Sequence, residues 1–159
     1  MPPDPGGGYR LATLLDLKVR EEEAQRVELA ARVAATGEAR QRLSAAEARR
    51  KAAKARCSQA IIEASAMAES GEALVGELAG ARLWVGRLEG ALVATVADVE
   101  RAALAVEAAE QAEGLARATL AQAAAERQAL EKHRAAWEAA ERRAAERRAE
   151  AERDDLGKK

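Results

Sequence analysis

The residues that could perform catalysis or bind a metal are few and isolated. The chain has one histidine, His133, and one cysteine, Cys57. His133 has no second histidine or cysteine at the spacing that zinc sites require. No phosphate-binding loop, glycine-rich dinucleotide turn or serine nucleophile motif is present. Carboxylates are numerous, but they act as general acids or bases where a concave site shifts their pKa. The sequence therefore predicts a protein that is not an enzyme and has no cofactor or metal site.

Composition indicates long helices. Hydrophobic residues make up 48% of the chain, mostly as alanine, while aromatic residues are 2% and charged residues 33%. Alanine buries little surface and is the strongest helix former, so this composition is typical of coiled coils. The net charge of -1 gives no general electrostatic attraction to nucleic acid, and we expect no nucleic-acid partner.

The ends and the hydropathy predict a cytoplasmic protein. Residues 1–8 are rich in proline and glycine, so we expect a disordered tail rather than a signal peptide. No apolar run approaches the ~18 residues of a membrane span, so we expect no membrane insertion. The single cysteine fits a reducing compartment.

A seven-residue repeat organises the second half of the chain. Residues on one stripe recur every third and fourth position, and most are apolar or small, which predicts a long helix that packs against a partner. The stripe consists of Leu74, Leu78, Ala81, Val85, Leu88, Leu92, Thr95, Val99, Ala102, Val106, Ala109, Glu113, Ala116, Leu120, Ala123, Arg127, Leu130, Arg134, Trp137, Glu141 and Ala144.

The first half is helical with a less regular stripe. Two adjoining frames share the apolar residues, so the face that packs is left open between them. The first frame is Leu15, Val19, Glu22, Arg26, Leu29, Val33, Thr36, Arg40, Leu43, Glu47, Arg50, Lys54, Cys57, Ile61 and Ala64. The neighbouring frame is Leu14, Leu17, Ala24, Val27, Ala31, Ala34, Ala45, Ala48, Ala52, Ala55, Ile62 and Ala66.

Gly71 is the best break between the two halves, because glycine readily adopts the left-handed conformation that ends a helix. Ser70 could cap the next helix. The prediction is an all-α fold, a long antiparallel two-helix coiled coil, in a single domain over 9–156. Its helices would span about 9–69 and 72–156, with a turn at about 70–72. Thr36 would then lie opposite Val106, and Val19 opposite Ala123.

The second helix is expected to be the longer one, so that residues from about Glu131 onward have no partner within the chain. Trp137 falls in this overhang, and an exposed aromatic residue on a charged helix is a candidate interface residue. Trp84 more simply packs over the hairpin. Four glycines near the turn permit either a close helix contact or no function at all; they are Gly76, Gly80, Gly86 and Gly90.

Each end of the ordered chain carries a distinctive motif. The first is Tyr9-Arg-Leu-Ala-Thr-Leu-Leu-Asp-Leu-Lys18 with the glutamates that follow it. The second is Ala129-Leu-Glu-Lys-His-Arg134, then Trp137-Glu138 and the final Asp154-Asp155. Both motifs resemble those of the FliJ family. The sequence departs from the family at Glu150-Ala-Glu152, where members often have Glu-Gln-Lys. The middle of the chain is similar only in being helical and rich in alanine.

The resemblance implies a function. FliJ-like proteins, and their injectisome counterparts of the YscO type, are two-helix stalks of the hexameric type III export ATPase. They connect that ATPase to the export gate at the inner membrane, and some bind export chaperones. The resemblance thus implies a cytoplasmic protein at the export apparatus, and its opening residues favour the flagellar type. The residues expected to bind the ATPase are Tyr9, Arg10, Leu11, Leu14, Leu15, Leu17, Glu131, Arg134, Trp137, Arg142, Arg147, Asp154 and Asp155.

Two other functions remain open at this stage. One is a structural coiled coil in which two chains pair in parallel and Gly71 makes no turn. The other is an injectisome stalk or chaperone escort. A membrane-surface helix is disfavoured, since such helices combine a basic face with bulky apolar residues.

Overall fold

A computed structural model describes residues 8–157 of the protein. Two helices pack against each other as a hairpin, α1 from Ala12–Ser70 and α2 from Val75–Gly157. The predicted all-α hairpin is therefore confirmed, and the parallel two-chain alternative is not the fold of this chain. Most of the predicted disordered tail, residues 1–7, lies outside the described residues.

The turn between the helices is longer than predicted. Gly71 has the expected positive φ of 69°, but the connection comprises residues 71–74 rather than 70–72. Ser70 ends α1 by donating its hydroxyl to the carbonyl of Met67 at 2.8 Å. The carboxylate of Glu77 caps α2 by accepting the backbone N–H of Leu74 at 2.8 Å, which satisfies an amide that the first helical turn leaves free.

The face of α2 that packs against α1 follows the predicted stripe. From Leu78 to Leu130 every residue of that stripe is partly or fully shielded from solvent. Leu74 and Arg134, just outside that range, are exposed. Periodicity alone therefore locates the packing face of this helix, because a 3.5-residue repeat keeps one side against the partner.

The packing face of α1 differs from both predicted frames. It keeps one half of the first frame, including Leu15, Thr36 and Cys57, but leaves Val19 and Val33 47% and 46% exposed. The neighbouring frame is exposed throughout. Between residues 39 and 60 the other half of the observed face is alanine, at Ala39, Ala46, Ala53 and Ala60. Such small residues allow two helices to pack closely.

The register between the helices is also shifted. The helices form two compact units, a middle unit from Ala31 to Gly114 and a terminal unit made of the chain on either side. In the middle unit Arg40 binds Glu110 at 2.6 Å, and in the terminal unit Lys18 binds Glu126 at 2.7 Å. In the predicted register Arg40 lies opposite Ala102 and Lys18 opposite Ala124, and both of these residues are nearer the start of α2 than the observed partners. The four-residue connection accounts for the shift, because it moves the point about which the helices mirror each other.

Candidate partner-binding surface in the terminal unit

An aromatic cluster joins the first described residues to α2. The Tyr9 side chain is only 9% exposed. Its ring centroid lies 5.6 Å from that of Trp137 and 5.7 Å from that of His133, distances at which tilted aromatic rings attract each other. Its hydroxyl lies 2.9 Å from Nδ1 of His133 and 3.3 Å from the carbonyl of Leu130, to which it can donate.

This cluster corrects the predicted exposure of Trp137. The residue has an intrachain partner and is partly shielded. The prediction failed because it began α1 as a helix at residue 9 and gave α2 no partner beyond about Glu131. The chain before Ala12 is not helical, and a bond from the Ala12 amide to the Tyr9 carbonyl at 3.0 Å turns it toward α2. Tyr9 was predicted to bind the ATPase, and here its ring is occupied by contacts within the chain.

The leucines of the first α1 turns divide between two faces. Leu15 is buried against α2, and Leu11 is partly shielded. Leu14 and Leu17 are 38% and 49% exposed. They line a shallow groove along α1 whose rim carries both charge signs; its other residues are Arg10, Thr13, Asp16 and Arg20. Of the predicted N-terminal site, Arg10, Leu14 and Leu17 are therefore accessible to a partner.

A buried carboxylate ties α1 to α2 in the terminal unit. Glu22 is 4% exposed and accepts hydrogen bonds from Arg26, at 2.6 Å, and from the guanidinium of Arg127 on α2. Arg127 also binds Glu131. Burying a carboxylate is costly unless it is paired and hydrogen-bonded, and this network supplies both. Both Glu22 and Arg127 lie on predicted stripes. Their opposite charges at positions that face the other helix could have predicted an ion pair between α1 and α2.

The ion pairs between the helices shift the pKa values of the residues that form them. The hydrogen bond from Arg127 lowers the pKa of Glu22 below its ordinary value, against the opposing effect of desolvation. The hydrogen bond from Lys18 similarly lowers the pKa of Glu126. The hydrogen bond to Glu126, together with a smaller effect of the hydrogen bond to Glu21, raises the pKa of Lys18 to about 12. Both carboxylates therefore stabilise the folded chain in their charged form.

We predict that Glu22→Gln makes the free energy of unfolding depend less on pH in acid solution. A carboxyl whose pKa is lower in the folded chain stabilises it above the unfolded pKa, about 4.3 for glutamate. That contribution is lost as pH falls through the folded value. The wild type should thus lose stability below about pH 4, and Glu22→Gln should lose less. Urea unfolding at neutral and acid pH measures the difference. Glu23→Gln, at a more exposed carboxylate on the same turn, is the control, and parallel wild-type and Glu22→Gln curves would contradict the prediction.

The C-terminal part of the predicted site lies on the outside of α2. Arg134 bonds to Glu138 at 2.8 Å, while Glu131, Arg142, Arg147 and Asp154 are exposed. The side chain of Asp155 lies outside the described part of the structure. These residues make a mixed-charge helix surface, and such i,i+4 pairs support an exposed helix by a few tenths of a kcal/mol each.

Two kinds of feature are missing from the described residues. Within residues 8–157 no three histidine, cysteine, aspartate or glutamate side chains are placed to hold a metal ion. Neither helix, over the same residues, has a segment long and apolar enough to cross a membrane.

Two comparisons with known proteins found matches to this hairpin. The model of the YscO-like protein family matches residues 7–159. A solved structure described as a YscO homologue, CT670 from Chlamydia trachomatis, superposes with a TM-score of 0.82. It is 16% identical, over 96% of this chain and 93% of that one, which shows a common fold. No curated protein sequence matches the chain.

Proposed function

The chain belongs to the YscO-like family, and from this membership we propose that it is a non-catalytic stalk of a type III protein export apparatus. The observation that carries the proposal is the family match across residues 7–159. The hairpin fold supports it, since a stalk needs a stiff helical body rather than a pocket. In this role the protein binds the hexameric export ATPase, promotes its assembly and links it to the export gate at the inner membrane. Binding of export chaperones is a further part of the proposal.

The accessible leucines of the terminal unit are the proposed ATPase contact. Leu14 and Leu17 expose apolar surface beside Arg10 and Arg20, a combination of apolar and arginine side chains that is typical of interface centres. The exposed charged residues of α2 from Glu131 to Asp154 would form the polar part of the same interface. Tyr9 and Trp137 would act indirectly, by holding the start of the chain against α2.

The secretion system itself is open to two assignments. The opening Tyr9-Arg-Leu11 favours a flagellar stalk, whereas the match to the YscO-like family favours an injectisome stalk. Deletion of the gene in its own host distinguishes them. Loss of swimming with normal effector secretion would indicate the flagellar type, and the reverse the injectisome type.

Binding to the export ATPase of the same organism tests the proposed contact. Leu14→Glu combined with Leu17→Glu should weaken binding at least about tenfold, because interface centres carry most of the affinity. Both side chains are exposed, so the hairpin should keep its helicity. Val27→Glu is the matched control, since Val27 is 64% exposed on the same helix outside the groove. Equal binding by the double variant and the control would rule out this contact.

A further inference from the structure

A second heptad face lies on α1, outside the face that packs against α2, although Lys51 and Ser65 at its edge border grooves shared with α2. Its six residues from Lys51 to Glu69 are all exposed, whereas Cys57 and Ala60 on the opposite side are buried. The spacings along this face are four, three, four, three and four residues, as in a coiled-coil seam. The outer face of α1 consists of Lys51, Ala55, Ser58, Ile62, Ser65 and Glu69.

Like any heptad face of six residues, this one has the same spacing in both directions, here about Ala60. A second copy of α1 can therefore pack antiparallel across a two-fold axis with every position matched, and the residue types decide whether that arrangement is favourable. Lys51 lies opposite Glu69 of the second copy, and Ala55 lies opposite its Ser65. Ser58 lies opposite its Ile62. A two-fold interface of this kind repeats each contact twice.

The charges around this face are complementary only in the antiparallel arrangement. Between Arg49 and Ala60 the charged residues are all basic, with Glu47 the first acid before them, and between Ala60 and Glu77 they are all acidic. A parallel pair would place Lys51 against Lys51 and Glu69 against Glu69, which is unfavourable. Neither Lys51 nor Glu69 forms an ion pair with another described residue. The basic residues are Arg49, Arg50, Lys51, Lys54 and Arg56, and the acidic ones are Glu63, Glu69, Glu72 and Glu77.

We infer that two copies of the protein associate through the outer face of α1 as an antiparallel dimer. Ile62 is 62% exposed in the single chain and is buried in the dimer near the two-fold axis. The alanine and serine neighbours let the helices approach to about 8 Å. The face lies in the middle unit and shares no residue with the groove at Leu14 and Leu17.

A second copy fits this face better than the other occupants. A nucleic acid would bind the basic half but be repelled by Glu63, Glu69 and Glu72. A membrane surface would require bulky apolar residues along the whole face, and Ile62 is the one such residue on it. Because the interface is short and mostly small side chains, the dimer is a weak one, with a dissociation constant on the order of 100 µM.

Sedimentation of the full chain over a range of concentrations tests the inference. Between about 5 and 500 µM the mean mass should rise from that of a monomer toward that of a dimer. Lys51→Glu should weaken association about tenfold, because both symmetric ion pairs become repulsive. Glu69→Lys should do the same. The double variant, Lys51→Glu with Glu69→Lys, should restore association, since each reversed charge then meets its opposite.

Two controls separate this interface from general charge effects. Arg87→Glu makes the same change of charge on the exposed side of α2 and should leave association unchanged. Ile62→Glu should abolish association while circular dichroism shows unchanged helicity, because Ile62 is outside the packing face. A monomer at every concentration would overturn the inference. So would a double variant as weak as the single ones, since only antiparallel pairing restores the charges.

Discussion

Ala53→Leu should lower the free energy of unfolding by about 2 kcal/mol, whereas Ala52→Leu should change it by less than about 0.5 kcal/mol. Ala53 is 9% exposed at the contact between the helices, and Ala52 beside it is exposed. A larger side chain at Ala53 must push α2 away or adopt a strained rotamer. At Ala52 the same leucine stays in solvent. Urea unfolding followed by circular dichroism measures both.

This pair of substitutions decides which face of α1 packs against α2. Ala52 belongs to the neighbouring frame, one of the two that the sequence left open, and Ala53 belongs to neither predicted frame. If Ala52→Leu were the more damaging change, the packing face would be the neighbouring frame and the observed alanine face would be wrong. Equally small effects would mean that the contact between the helices tolerates an added leucine.

Tyr9→Ala should release the start of the chain from α2. The side chain supplies two ring contacts and the hydrogen bonds of its hydroxyl, and removing a buried aromatic side chain costs about 3 kcal/mol or more. The few residues before Ala12 have no helix to hold them, so this loss exceeds what keeps them ordered. Tyr9→Phe keeps the ring contacts and should retain the contact with α2.

Fluorescence of Trp137 reports this release directly. In a Trp84→Phe background Trp137 is the one tryptophan left in the chain. Tyr9→Ala should shift its emission to longer wavelength and increase its quenching by iodide, while Tyr9→Phe should leave both near the parent values. Unchanged emission in Tyr9→Ala would show that Tyr9 does not cover Trp137 in solution.

The stripe on α2 and the break at Gly71 could be predicted because each has a strong local signal. A sustained heptad repeat identifies one helix face, and glycine is the residue that tolerates a positive φ. The face of α1 could not be predicted in the same way. Val19 and Val33 are more apolar than Ala39 or Ala46, and a hydrophobic pattern does not show that large residues on one helix require small ones on the other.

The contacts of Tyr9 and the ion pairs between the helices could not be predicted from the sequence repeat, for a different reason. Residues before a helix follow no repeat, so the turn that directs Tyr9 to Trp137 and His133 leaves no trace in the spacing. The pairing of Lys18 with Glu126 depends on the register, which depends on the length of the connection after Ser70. An error of about one helical turn in the length of this connection changes which α2 residue lies opposite each α1 residue, but it does not change the predicted stripe.

The most direct test of the proposed stalk function is the hydrolysis rate of the export ATPase from the same organism. Stoichiometric addition of the wild-type chain should raise the rate severalfold and increase the fraction of hexamer. The Leu14→Glu, Leu17→Glu double variant should do neither, and Val27→Glu should match the wild type. If the wild-type chain changes neither the rate nor the assembly of the ATPase, the protein is not its stalk.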